Sequence, residues 1–128
     1  MGKTWPSVLS ALGVVVATVL LVQLGLQERA PAAPGPGDVA QAERARPADA
    51  RLAQRYEQAC VLCHARADSG APLSHHAPSW EARLARGLPA LVQSVQNGKG
   101  GMPAGGLCAD CSPQDYDSLT RFMSGPTP

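Results

Sequence analysis

Cys60-Val61-Leu62-Cys63-His64 is the stretch on which the reading of this chain turns. The spacing C-x-x-C-H is the attachment signature for c-type haem. Two thiols three positions apart can each bond one vinyl group of a single porphyrin. The residue that follows, His64, then lies under the iron, where a neutral imidazole nitrogen can ligate it.

Length and composition suit such a centre. The chain has 128 residues, and its first third reads as something other than a folded domain, leaving roughly 80 residues to fold. Aromatic residues make up only 4%. A core that thin needs a cofactor, a metal or a disulfide staple. Net charge is +1. Nine basic and nine acidic residues balance from Asp38 onward, which gives no sign of a nucleic-acid partner.

Upstream of the motif, Val8 to Leu26 is apolar apart from Ser10, Thr18 and Gln23. Nineteen such residues are enough to cross a bilayer as a helix. Lys3 precedes them, and Trp5 sits where an interfacial aromatic would. The competing reading is a cleaved signal peptide ending at Ala30-Pro31-Ala32. The apolar run exceeds a usual signal core, and Gln27-Glu28-Arg29 separates it from that site, which favours an uncleaved anchor. In both readings the rest of the chain is exported, in the compartment where bacterial haem attachment and disulfides occur. The expected organisation is a signal anchor over 1–26 with its membrane helix at 7–26, a Pro/Ala-rich tether over 27–48, and a haem domain over 49–125. Residues 38–48, rich in Ala and Arg, are candidates for partial helix, whereas 30–37 reads as extended linker. Taken as coil, a tether of about 20 residues reaches on the order of 25 Å.

Within the domain, apolar spacing near 3.6 predicts helices throughout and no strand. The first begins at Asp49, a good N-cap, carries Leu52, Tyr56 and Ala59 on one face, and runs into Cys60. Residues 65–78 read as a loop. Ser79 to Ala85 and Leu88 to Gln96 read as helices. Ser112-Pro113-Gln114-Asp115 opens a last helix that reaches about Ser124.

Met102, in the Gly/Pro-rich loop Met102-Pro103-Ala104-Gly105-Gly106, is the expected second axial ligand. A thioether on iron stabilises the ferrous state and raises the potential. Met123 falls at apolar helical spacing and reads as core. His75 and His76 are rival ligands, or else solvated loop histidines. The Pro72 carbonyl is the candidate acceptor for His64 Nδ1–H, which would fix the ring. Trp80 and Arg83 either touch a haem edge or propionate, or pack in the core and meet solvent respectively. Cys108-Ala109-Asp110-Cys111 is a second C-x-x-C without a histidine. It fits a structural disulfide, a redox dithiol, or half of a four-thiolate metal site. The export context and His64 favour the disulfide. No nucleophile–base arrangement, carboxylate pair or phosphate loop is present, so no catalytic residue is assigned and the chain is expected to be an electron carrier, not an enzyme.

From Ala50 to Ser124 this ordered set resembles the class I c-type cytochromes, most of all the small bacterial cytochrome c-five group. The likeness rests on Tyr56 four residues before Cys60, C-V-L-C-H, Gly70-Ala71-Pro72, and Ala77-Pro78-Ser79-Trp80 followed by Arg83. G-M-P-A-G-G and C-A-D-C-S complete it. The resemblance implies an all-α fold around one covalent haem c, with His64 and Met102 axial, the Pro72 carbonyl on His64, and a Cys108–Cys111 disulfide. It implies one-electron exchange with redox protein partners. The N-terminal anchor and tether depart from that group and point to a carrier held at a membrane, free-standing or as a subunit of a larger oxidoreductase. A haem sensor with a displaceable ligand is the remaining alternative.

Overall fold

The computed structural model describes residues 13–22 and 31–125, and the chain divides into two units between Ala30 and Pro31. Residues 13–22 are helical, with Val14, Val15, Val16, Val19, Leu20, Leu21 and Val22 all exposed. Among the described residues no helix is long and apolar enough to cross a membrane. The remainder of the expected span over 7–26 lies outside the described residues.

The second unit is all-helical among its described residues: α1 (Pro36–Arg44), α2 (Ala50–Arg55), α3 (Val61–His64), α4 (Ala77–Leu84), α5 (Leu88–Asn97) and α6 (Pro113–Ser124). Helix α1 falls where the sequence suggested tether. Pro36 takes a first-turn position, where its missing N–H costs nothing, and the Asp38 carboxylate accepts the Gly35 N–H at 2.8 Å. Ala42 is fully buried against Ala65 and Leu73. Within the expected tether over 27–48, the chain is therefore helical and packed on the domain from Pro36 to Arg44, over much of the stretch read as partly helical.

The Asp49 side chain caps α2 by accepting the Leu52 N–H at 2.8 Å. Between α2 and α3, Tyr56–Cys60 forms a π-helical turn. One inserted residue rotates everything after it by about 100°. Tyr56 stays in the core while Ala59, Cys60, Cys63 and His64 line a neighbouring cleft. An ideal 3.6 repeat does not predict that rotation.

Helix α4 starts two residues earlier than its expected Ser79, because Pro78 is accommodated in the first turn, where no N–H is needed. The main core joins Tyr56, Trp80, Leu91, Leu119 and Met123. Phe122 stands edge-on to Tyr56 with ring centroids 5.1 Å apart.

Helix α6 begins with a reciprocal cap. Asp115 N–H donates to Ser112 Oγ at 3.2 Å and Ser112 N–H donates to Asp115 at 3.0 Å. Asp115 is itself buried and accepts from Arg51 at 2.6 Å. That hydrogen bond, followed by the Ser112 N–H, holds the Asp115 carboxyl well below the usual carboxylate range. A carboxylate whose folded-state pKa is depressed stabilises the fold above its unfolded value, near 4, and loses that contribution as pH falls towards its folded value. Asp115→Asn is expected to lower the melting temperature at pH 7. The gap to the unsubstituted protein should close as pH drops below about 4, and melting curves across pH 2–7 check it.

Candidate haem site

One cleft of about 500 Å³, its open mouth included, gathers the predicted ligands. Ala59, Cys60, Cys63 and His64 line it from the α2–α3 run. Met102, Pro103, Gly105 and Gly106 line it from the loop after α5. Tyr116, Leu119, Thr120 and Met123 line it from α6.

His64 is buried at the end of α3. Its Nδ1 lies 2.8 Å from the Pro72 carbonyl. A carbonyl can only accept, so Nδ1 carries the proton and Nε2 keeps its lone pair. Burial lowers the His64 pKa, the Pro72 bond opposes that, and the Arg83 charge adds to it, so the ring is neutral at pH 7. Cys60 and Cys63 are both free thiols. Burial, with the nearby Cys63 adding to it, pushes the Cys60 thiol up to about 11. It is therefore a neutral thiol at physiological pH, unlike the thiolates of a metal site.

The Met102 loop is held by its own backbone. Lys99 N–H donates to Met102 O at 3.0 Å, and Met102 N–H donates to Lys99 O at 3.1 Å. Gly98 makes this pairing possible. Its φ is +79°, and a Cβ there would lie 2.8 Å from Ala104 N and 2.9 Å from Met102 O, both backbone atoms that cannot step aside. Gly98→Ala is expected to destabilise the protein by about 2 kcal/mol through the left-handed backbone and the clash. It should also weaken the near-infrared band of Met-ligated ferric haem, because the displaced backbone carries Met102. Thermal melts and the ferric spectrum check both.

Cys108 and Cys111 are bonded to each other. Among the described residues no cluster of His, Cys, Asp and Glu could hold a metal ion. The four-thiolate alternative is thereby set aside. Arg55 lies against this loop, donating to Asp110 at 2.6 Å with Cys108 Sγ 4.0 Å away.

Trp80 and Arg83 do not line the cleft. The Trp80 indole N–H is committed to the Leu73 carbonyl at 2.8 Å, with the ring in the core and stacked 6.0 Å from His64. Arg83 runs back along its own helix to the Ser79 carbonyl and is exposed. Trp80 therefore packs in the core and Arg83 lies at the surface, the second of the two readings given for each. Neither rival histidine lines the cleft, and neither is a solvated loop residue. His76 is buried with Nδ1 2.6 Å from Ser79 Oγ, and His75 packs edge-on to Phe122 at 4.7 Å. Met123, expected in the core, is there and also faces the cleft.

Sequence reasoning did not place Tyr116, Leu107 or Thr120 on this cleft. Tyr116 donates its hydroxyl to the Cys108 carbonyl at 2.9 Å and sits over Gly105, where a Cβ would meet that hydroxyl at 2.9 Å. Leu107, 62% exposed, holds a left-handed φ of 68° at the rim. Thr120 is 2% exposed and its hydroxyl has no partner in the protein. A polar residue on the face of α6 shared by Tyr116 and Met123 was the available signal.

These features fit haem c. Two free thiols and a neutral imidazole with a free Nε2 share an otherwise apolar cleft with a thioether and an unsatisfied hydroxyl. The sequence profile of the family described as cytochrome C oxidase, cbb3-type, subunit III matches residues 47–123. Cytochrome c5 of Ectopseudomonas mendocina is 32% identical over 68 residues, which span 52% of this chain and 78% of that protein. With its thiol pair, buried imidazole and helical cleft, the chain belongs to the class I c-type cytochromes, electron-transfer proteins with covalently bound haem c.

Proposed function

We propose that this chain is a membrane-anchored monohaem cytochrome c that passes single electrons between redox proteins on the periplasmic side of a bacterial inner membrane. The observation that carries the proposal is the meeting of Cys60, Cys63, His64 and Met102 on one cleft. Haem c supplies a one-electron ferric/ferrous couple when bound. Cys60 and Cys63 would hold it by thioether bonds, and His64 Nε2 and Met102 Sδ would be its iron ligands. The Pro72 carbonyl fixes the His64 ring and raises its basicity. The Lys99–Met102 backbone pair fixes the loop that carries Met102, which would limit movement of the sulfur on electron transfer. With His64 and Met102 both as ligands, the iron would have no open position for a substrate.

Membrane attachment is supported by the apolar sequence from Val8 to Leu26 and by the exposed aliphatic side chains of residues 13–22. Whatever tether links that segment to the domain lies before Pro36. The matched family's description as an oxidase subunit favours a second reading, in which the chain works inside a larger membrane oxidoreductase. A potentiometric titration of the protein in detergent tests the carrier role, which requires a single one-electron wave. Alkaline washing of membranes tests the anchor, which requires the protein to stay in the pellet. Copurification with other subunits after gentle solubilisation separates the second reading from a free-standing carrier.

A further inference from the structure

The imidazole of His64 depends on the chain around Pro72, and that chain is gripped from several sides. Ser74 N–H donates to the His64 carbonyl at 2.8 Å, and the Trp80 indole donates to the Leu73 carbonyl. Tyr56 and Ser74 share a buried hydroxyl–hydroxyl hydrogen bond of 2.9 Å. These bonds lie within residues 47–123, the part matched by the family profile. Two further contacts come from outside it.

Ala42 of α1 is 0% exposed and packs on Ala65 and Leu73. Ala65 follows His64 and Leu73 follows Pro72, so Ala42, with Val39 beside it, joins α1 to one buried cluster with residues from both segments that the imidazole–carbonyl bond links. Arg46, just after α1, places its guanidinium 5.8 Å from the centre of the Tyr56 ring and donates to Glu57 at 2.7 Å. The same guanidinium donates to the carbonyls of Glu43 and Ala45 at 2.8 and 2.7 Å, tying the end of α1 to the helix that carries Cys60.

We propose that Ala42 and Arg46 are positioning residues for haem ligation, and that α1 with Arg46 forms a clamp that holds the Pro72 carbonyl on His64 Nδ1. Only a small side chain fits at position 42, since a larger one must move either α1 or Leu73. Loosening the clamp weakens the hydrogen bond, makes the imidazole a poorer donor to iron and raises the reduction potential. The clamp rests on His64 being an axial ligand.

The test uses the full-length, haem-loaded protein in detergent, with two readouts: hydrogen exchange at His64 Nδ1–H by NMR and the midpoint potential. Ala42→Leu is expected to speed exchange about tenfold and shift the potential upward, because the opening of this loop becomes easier. Arg46→Gln should move both readouts in the same direction by less. Gln41→Leu, on the exposed side of α1, should move neither. The proposal is overturned if Ala42→Leu melts at a lower temperature yet keeps the native exchange rate and potential, or if Gln41→Leu matches it. Should Ala42→Leu not be recovered with haem, native exchange in Arg46→Gln overturns the proposal by itself. Failure of the underlying ligand assignment would look different: the unsubstituted protein would then lack an iron-shifted His64 ring signal.

Discussion

Alanine at both Cys60 and Cys63 is expected to give a chain that carries no haem through a denaturing gel and unfolds without a cooperative transition. Two effects combine. The first is chemical, since without either sulfur no bond survives denaturation. The second is physical. The cleft takes its lining from the α2–α3 run, the Met102 loop and α6, and these elements meet across it. The buried cluster they otherwise share is small: Tyr56, Trp80, Leu91, Leu119 and Met123. A domain this short has on the order of 5 kcal/mol of stability to lose. Each apolar side chain left facing an unfilled cleft forfeits about 1.5–3 kcal/mol of burial. Haem staining that persists in the double variant would place the attachment elsewhere. Either single variant should retain one thioether bond and an altered pyridine haemochrome.

Met102→Ala is expected to abolish the near-infrared band of Met-ligated ferric haem and lower the reduction potential by on the order of 0.2 V, within the ~0.8 V that axial ligands span. It should also let added imidazole or carbon monoxide bind the iron, because the alanine leaves an axial position open. Met123→Leu is the control, since Met123 lines the same cleft but belongs to the core. A band that survives Met102→Ala and disappears in Met123→Leu would reverse the ligand assignment.

What the sequence made legible was local chemistry. Cys60, Cys63 and His64 are neighbours in the chain. Asp49 and Ser112 cap helices by bonding N–H groups three residues on. Pro72 reaches His64 across eight positions, a candidate pairing read from the loop that follows the motif, and the 2.8 Å distance matches it. Features decided by distant contacts were not legible. The π turn at Tyr56–Cys60 adds one residue to a turn, and no periodicity announces where packing will demand it. Helix α1 lies in a Pro- and Ala-rich stretch whose composition allowed partial helix, but its packing through Ala42 and Val39 gave no apolar stripe to dock it by, so it read as tether. His75 and His76 read as solvated because their partners, Phe122 and Ser79, come from folded neighbours and not from a pattern. Trp80 had two acceptable homes, and the Leu73 carbonyl decided between them.

The most direct measurement is the ferric absorption spectrum of the full-length protein, purified in detergent, extended into the near infrared. His64 and Met102 as axial ligands predict a low-spin spectrum with the weak sulfur–iron band present at neutral pH. A high-spin spectrum, or a low-spin one without that band, would contradict the closed His/Met site on which the electron-carrier account rests.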